Sequence, residues 1–169
     1  MPALNGPGGG AQVTIGTRGD RRHAWRDWQF AAACAAGPVA WWAMARGGIP
    51  IGDPTWAWRE PWHFVWLSLL LPVWEEWVFR GWMQPLVAQG IARARWPSPR
   101  LLANLATSLA FAAMHLPSHP VAWAAAVVVP SVVFGHFRDR HGHVGSAMAL
   151  HAFYNAGYFL LFGRFGSGH

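Results

Sequence analysis

Between Leu101 and Phe137 the chain runs for 37 residues without an Asp, Glu, Lys or Arg. A second uncharged stretch covers 23 residues from His141 to Gly163, and a third covers 18 residues from Trp28 to Ala45. A helix needs about 20 mostly apolar residues to cross the hydrocarbon of a bilayer. A helix half exposed to water would carry a polar stripe at a period of about 3.6 residues, and these stretches carry none. The pattern predicts an all-α integral membrane protein. Composition agrees: 53% of residues are hydrophobic and 12% charged, against about 25% charged in an average soluble domain. The mean hydropathy of +0.17 is modest because a Gly-rich N-terminus and Arg-bearing loops dilute the apolar runs.

Five transmembrane spans are predicted, at about 28–45, 62–86, 100–117, 120–137 and 144–163. They form one domain over 28–163. The Gly/Pro-rich, polar residues 1–27 read as a disordered tail retained ahead of the first span, and 164–169 as a short C-terminal tail. Pro117 and Pro120 in "HLPSHP" break the third span from the fourth. Pro72, Pro85 and Pro130 lie inside spans and are expected to kink them. Trp56, Trp58, Trp62 and Trp66 cluster as an interfacial belt would.

All 13 basic residues are Arg. With a cytoplasmic N-terminus, nine of them (18, 21, 22, 26, 93, 95, 100, 138 and 140) fall inside and three (46, 59 and 164) outside. That asymmetry predicts a membrane protein with the N-terminus in the cytoplasm and the C-terminus outside. The arginines lie between apolar runs instead of forming one basic face, which argues against nucleic acid as a partner despite the net charge of +6. The lone Cys34 excludes an intrachain disulfide and reads as a packed small residue. His136, His141 and His143 in "HFRDRHGH" read as solvated or interfacial members of a basic loop.

Against this background "VWEEWVFRGW", residues 73–82, is anomalous. A charge at bilayer depth costs roughly 2.5–3.5 kcal/mol on insertion scales. Glu76 and Arg80 are four residues apart on a helix and can pair along one face. Glu75 points about 100° away and is left over. A carboxyl in such a place can serve as an acid or base. Polar groups available to it at depth are His115 in the third span and His151 with Asn155 in the fifth, the latter two on one helix face. Asn104, Ser108 and Gln84 are also near. One carboxylate, two imidazoles and an amide from three helices can activate a water and stabilise an oxyanion.

"EEWVFR", "FAAMH" and "HAFYN" fit Glu-Glu-x-x-x-Arg, Phe-x-x-x-His and His-x-x-x-Asn. In that order on successive spans they resemble the three motifs of the CPBP family, which groups Rce1-type CAAX prenyl proteases with bacteriocin-processing enzymes, also called Abi. The resemblance covers about residues 62–163 and is closest to short bacterial forms, some of which act on C-terminal sorting tails. It implies an intramembrane endopeptidase cleaving a membrane-anchored protein or peptide near its C-terminal tail. By motif position Glu75 is the catalytic glutamate, His115 its partner at the water, and His151 with Asn155 the oxyanion stabilisers. Glu76, Arg80 and Phe111 are supporting residues, Phe111 through packing.

Two His and one Glu also make a zinc set, so Glu75, His115 and His151 are the ligands a metallo-type mechanism would use. With no His-Glu-x-x-His helix, a metal-free glutamate mechanism is favoured and no cofactor is expected. Two other readings compete. One is a haem-binding electron carrier with His115 and His151 as axial ligands; it leaves Glu75, Glu76 and Arg80 unexplained. The other is a non-catalytic, immunity-type relative. Counting about 1.5 Å per helical residue sets His115 near the outer end of its span and His151 roughly 10 Å from the inner end of its own, so helix boundaries decide whether they meet.

Overall fold

The computed structural model describes residues 24–163. Every regular element among them is helical. The expected tails over 1–23 and 164–169 lie outside the described residues. Residues 24–27, expected in the tail, belong to the fold: Ala24–Arg26 form a 3₁₀ turn and Asp27 is buried.

Helix α1 is Trp28–Arg46. It starts at Asp27 because that carboxylate accepts the orphan N–H of Gln29. After it, residues 47–60 fold back across the end of the last helix. There Asp53 accepts from the Thr55 N–H and hydroxyl, and the short α2, Trp56–Arg59, follows. Of the expected tryptophan belt, Trp58, Trp62 and Trp66 are exposed, but Trp56 is buried. Its indole N–H donates to the Phe159 carbonyl at 2.8 Å, a bond that fixes the loop to the bundle.

Helix α3 runs without a break over 61–93. Two π-helical stretches, Trp66–Leu70 and Trp77–Met83, interrupt its α-helical register. Each ends two residues before a proline, Pro72 and Pro85. A proline ring collides with the carbonyl four residues back, and the wider π turn relieves that collision, so α3 bulges at its prolines and stays one helix.

Helix α4 is Pro99–Ala113, entered through Ser98 at φ 50°. Its buried face, Ala103, Asn104, Thr107, Ser108, Phe111 and Ala112, recurs at helical spacing and packs on the second half of α3 and on the next helix. A turn follows, closed by His115 N–H to the Ala112 carbonyl and His119 N–H to the His115 carbonyl. Helix α5 is Val121–His141 and ends at Gly142, whose φ of 72° suits a glycine stop. Helix α6 is Gly145–Phe162, packed on α1, α5 and the first half of α3.

Small residues let these helices approach. A Cβ at Gly157 would lie 2.1 Å from the Trp41 ring, and one at Gly37 would lie 3.1 Å from Phe153. The Tyr154 hydroxyl donates to the Ala33 carbonyl at 2.7 Å, closing the α1–α6 contact. Close backbone approach with cross-helix hydrogen bonds is how helices associate in lipid.

Helices occupy all five expected span positions. By length and hydropathy, however, only α5 among the described residues is long and apolar enough on its own to cross a membrane. Helix α4, with 15 residues, is the short one among the other four and stops at Ala113, so His115 lies beyond it and not inside a span reaching 117.

Candidate functional site

Glu76, Arg80 and Gln84 recur every four residues along α3. The first two are 0% exposed and Gln84 is 1% exposed. Glu76 and Arg80 form the ion pair expected from their spacing, with Nε 3.6 Å from Oε2. Neither of those atoms makes a hydrogen bond, so the contact is electrostatic. The guanidinium is anchored elsewhere. Its Nη2 donates to the carbonyl and hydroxyl of Ser131 on α5, and it lies 5.6 Å from the centroid of the Phe111 ring.

His151 enters from α6 and meets both glutamates. Its Nδ1 lies 3.0 Å from Glu76 Oε1, and its Nε2 lies 3.8 Å from Glu75 Oε2. The ring is 6% exposed at the residue level. Phe134 stacks on it at 4.7 Å, and Phe111 meets it edge-on at 5.7 Å. With Arg80 beside Glu76, the carboxylate is the acceptor and Nδ1–H the donor. That leaves Nε2 as the ring nitrogen facing Glu75. The side chain of Glu75 is 22% exposed, the one motif carboxylate with access from outside the core.

His115 reaches the same place from the turn after α4. Its ring lies 5.0 Å from Phe111, and it is close enough to Glu75 to act on it electrostatically. Counting residues along straight spans separates His115 from His151 in depth; the structure brings both rings against Phe111, because α4 ends early. Nδ1 of His115 is 2.9 Å from the Phe111 carbonyl. A carbonyl only accepts, so Nδ1 carries the proton and Nε2 of the neutral ring is free to accept.

Asn155, one turn beyond His151, donates from Nδ2 to the Leu67 carbonyl at 3.2 Å. One of its two amide N–H groups is therefore committed to α3. Phe111 touches Phe79, Arg80, His115 and His151, so this packing residue is the hub that spaces the others.

The arrangement bears on the competing readings. Both nitrogens of His151 face carboxylates and Phe111 packs on both imidazoles, so His115 and His151 are not disposed as axial haem ligands. Among the described residues no three His, Cys, Asp or Glu side chains are gathered in a metal-binding group, and that includes Glu75, His115 and His151.

Sequence reading missed several partners. Ser131 and Phe134 are ordinary residues in an apolar run and carry no signal. His141, read as solvated, is 2% exposed; its Nε2 lies 3.0 Å from Asp27, and Arg140 also donates to Asp27. An isolated acid just before an apolar run, matched by a basic cluster ending another, was the available clue.

The family model described as type II CAAX prenyl endopeptidase Rce1-like matches residues 56–157, which include all three motifs. No curated protein and no solved structure matches the chain.

Proposed function

The chain belongs to the Rce1-like family of type II CAAX prenyl endopeptidases, and on that footing we propose that it is an intramembrane endopeptidase. It cleaves a membrane-anchored protein or peptide near its C-terminal tail. The observation that carries this reading is the bridge from Glu76 through His151 to Glu75, buried on one side and open at Glu75 on the other.

In the proposed reaction Glu75 takes a proton from water, and Nε2 of His115 orients that water. The oxygen attacks the scissile carbonyl, whose developing negative charge is met by protonated His151 and by the second amide N–H of Asn155. Collapse of the tetrahedral intermediate breaks the C–N bond, and Glu75 returns its proton to the leaving amine. Glu76 and Arg80 hold the His151 ring in register and do not exchange protons. The mechanism is glutamic-type; in the metallo-type alternative Glu75, His115 and His151 would have to draw together to hold a zinc ion that activates the water.

The five helical segments cross a bacterial inner membrane with the N-terminus cytoplasmic, as the arginine asymmetry supports. The lipid bilayer is then both solvent and partner, and the π-bulged α3, short α4 and buried polar groups account for why few segments look apolar enough alone.

The test is cleavage of a co-expressed substrate carrying a C-terminal membrane anchor, read as a size shift. Wild type should cleave it and Glu75→Gln should not, at equal expression. Full activity in Glu75→Gln would sink the assignment. Activity lost to a chelator and restored by zinc would replace the glutamic mechanism with the metallo-type one. No cleavage by wild type across a panel of anchored tails would favour the non-catalytic, immunity-type reading.

A further inference from the structure

Each π stretch of α3 leaves one carbonyl without a helical donor, and a side chain from another helix supplies it. At the first stretch the Leu71 N–H bonds the Trp66 carbonyl, and the next residue, Pro72, has no N–H. The Leu67 carbonyl therefore has neither its four-residue nor its five-residue partner. Asn155 fills that place. At the second stretch the Gln84 N–H bonds the Phe79 carbonyl, and the next residue is Pro85. The Arg80 carbonyl is orphaned in the same way, inside a residue with no exposed surface. Arg138 Nε donates to it at 3.0 Å.

Arg138 stands on α5, outside all three motifs. Its Nη1 donates to Asp139 at 2.7 Å, and Asp139 accepts from the Gln84 amide at 2.9 Å. Arg138 and Asp139 thus grip the turn at two points, the backbone at Arg80 and the side chain at Gln84. That turn begins directly after Glu75 and Glu76. A buried carbonyl without a donor is expensive, so without Arg138 the turn would re-register toward ordinary α-helix. Re-registration rotates Arg80 and everything after it relative to the two glutamates, and it pulls Arg80 away from Ser131.

We infer that Arg138 is a positioning residue for the catalytic turn, acting as the hydrogen-bond donor that Pro85 removes from α3. The catalytic half of this inference rests on the protease reading; the structural half does not. Two variants separate them. Arg138→Met removes the donor and keeps the side-chain bulk. Pro85→Ala in that background restores an N–H able to serve the Arg80 carbonyl, through residue 85 in π register or through Gln84 if the turn relaxes.

Hydrogen exchange of the amides over 77–84 in detergent-solubilised protein is the first readout. It should accelerate in Arg138→Met and return to the wild-type rate in the double variant. Unchanged exchange in Arg138→Met, or no recovery with Pro85→Ala, overturns the cap whether or not the protein is a protease. The second readout is cleavage. Arg138→Met should lower kcat about tenfold or more with KM nearly unchanged, and Arg138→Lys, which keeps the charge but not the Nε–H geometry, should not restore it. Faster exchange with wild-type kcat overturns the positioning role and leaves the protease reading standing. Failure of wild type to cleave counts against the protease reading alone.

Discussion

Nδ1 of His151 lies 3.0 Å from Oε1 of Glu76, while the other ring nitrogen faces Glu75 at 3.8 Å. The second glutamate of the motif is thus tied to the first through an imidazole from another helix, and its charge is balanced by Arg80. Removing one member of a buried pair leaves an uncompensated charge and costs about 3–5 kcal/mol. Glu76→Gln and Arg80→Gln should each lower yield and melting temperature strongly. The double variant Glu76→Gln/Arg80→Gln should recover part of the loss, because no charge is stranded. Equal or worse thermal stability in the double variant would rule out the pairing.

His115 sits beyond the end of α4, and among the described residues its ring makes one hydrogen bond, to the carbonyl of Phe111 in the last turn of that helix. It should therefore matter to chemistry more than to folding. His115→Ala is expected to lower cleavage by about 10²–10⁴, the usual reach of a positioned acid–base group, with a melting temperature close to wild type. A large drop in melting temperature with proportionate loss of activity would make His115 a structural cap instead.

Much of this site was legible because motif spacing encodes helix faces. Glu76 and Arg80 pair as their four-residue spacing requires, and the prolines of "HLPSHP" do separate two helices. What spacing did not encode was contact between helices. Nothing in "HAFYN" says that His151 will bridge two carboxylates, since that depends on the depth at which α6 crosses α3. The π stretches were hidden for a related reason. Pro72 and Pro85 announce a disturbance, but a kink and a bulge satisfy the same sequence, and the donors that stabilise the bulges, Asn155 and Arg138, lie 88 and 58 residues away.

Asp27 gives a pH-dependent prediction at the end of the bundle where α1 begins and α5 ends. Arg140, then His141 and the Gln29 N–H, donate to it and hold its carboxyl far below the usual carboxylate range. A depressed folded-state pKa contributes stability above the unfolded value, near about 4, and loses it as pH falls further. Asp27→Asn keeps a good helix cap and removes the charge. It should melt below wild type at about pH 5, and the gap should narrow toward about pH 3 as the wild-type carboxylate becomes protonated in the unfolded chain. A gap independent of pH over that range would mean the clasp works by shape and not by charge.

The proposed reaction gives Asn155 a second role beside its structural one, and α3 supplies the means to separate them. Its amide caps the Leu67 carbonyl that Pro72 orphans, and its second N–H is available to an oxyanion. Asn155→Ala should lower the melting temperature and reduce kcat by about 10²–10³, the loss expected for one oxyanion donor. Pro72→Ala in the same background returns an N–H to α3, which can take the Leu67 carbonyl in place of the amide. Thermal stability should then recover while kcat stays low, because nothing has replaced the donor at the reaction centre. Recovery of both would show that Asn155 serves catalysis only by suturing α6 to α3. Recovery of neither would show that the Leu67 carbonyl is not what the amide is there to satisfy.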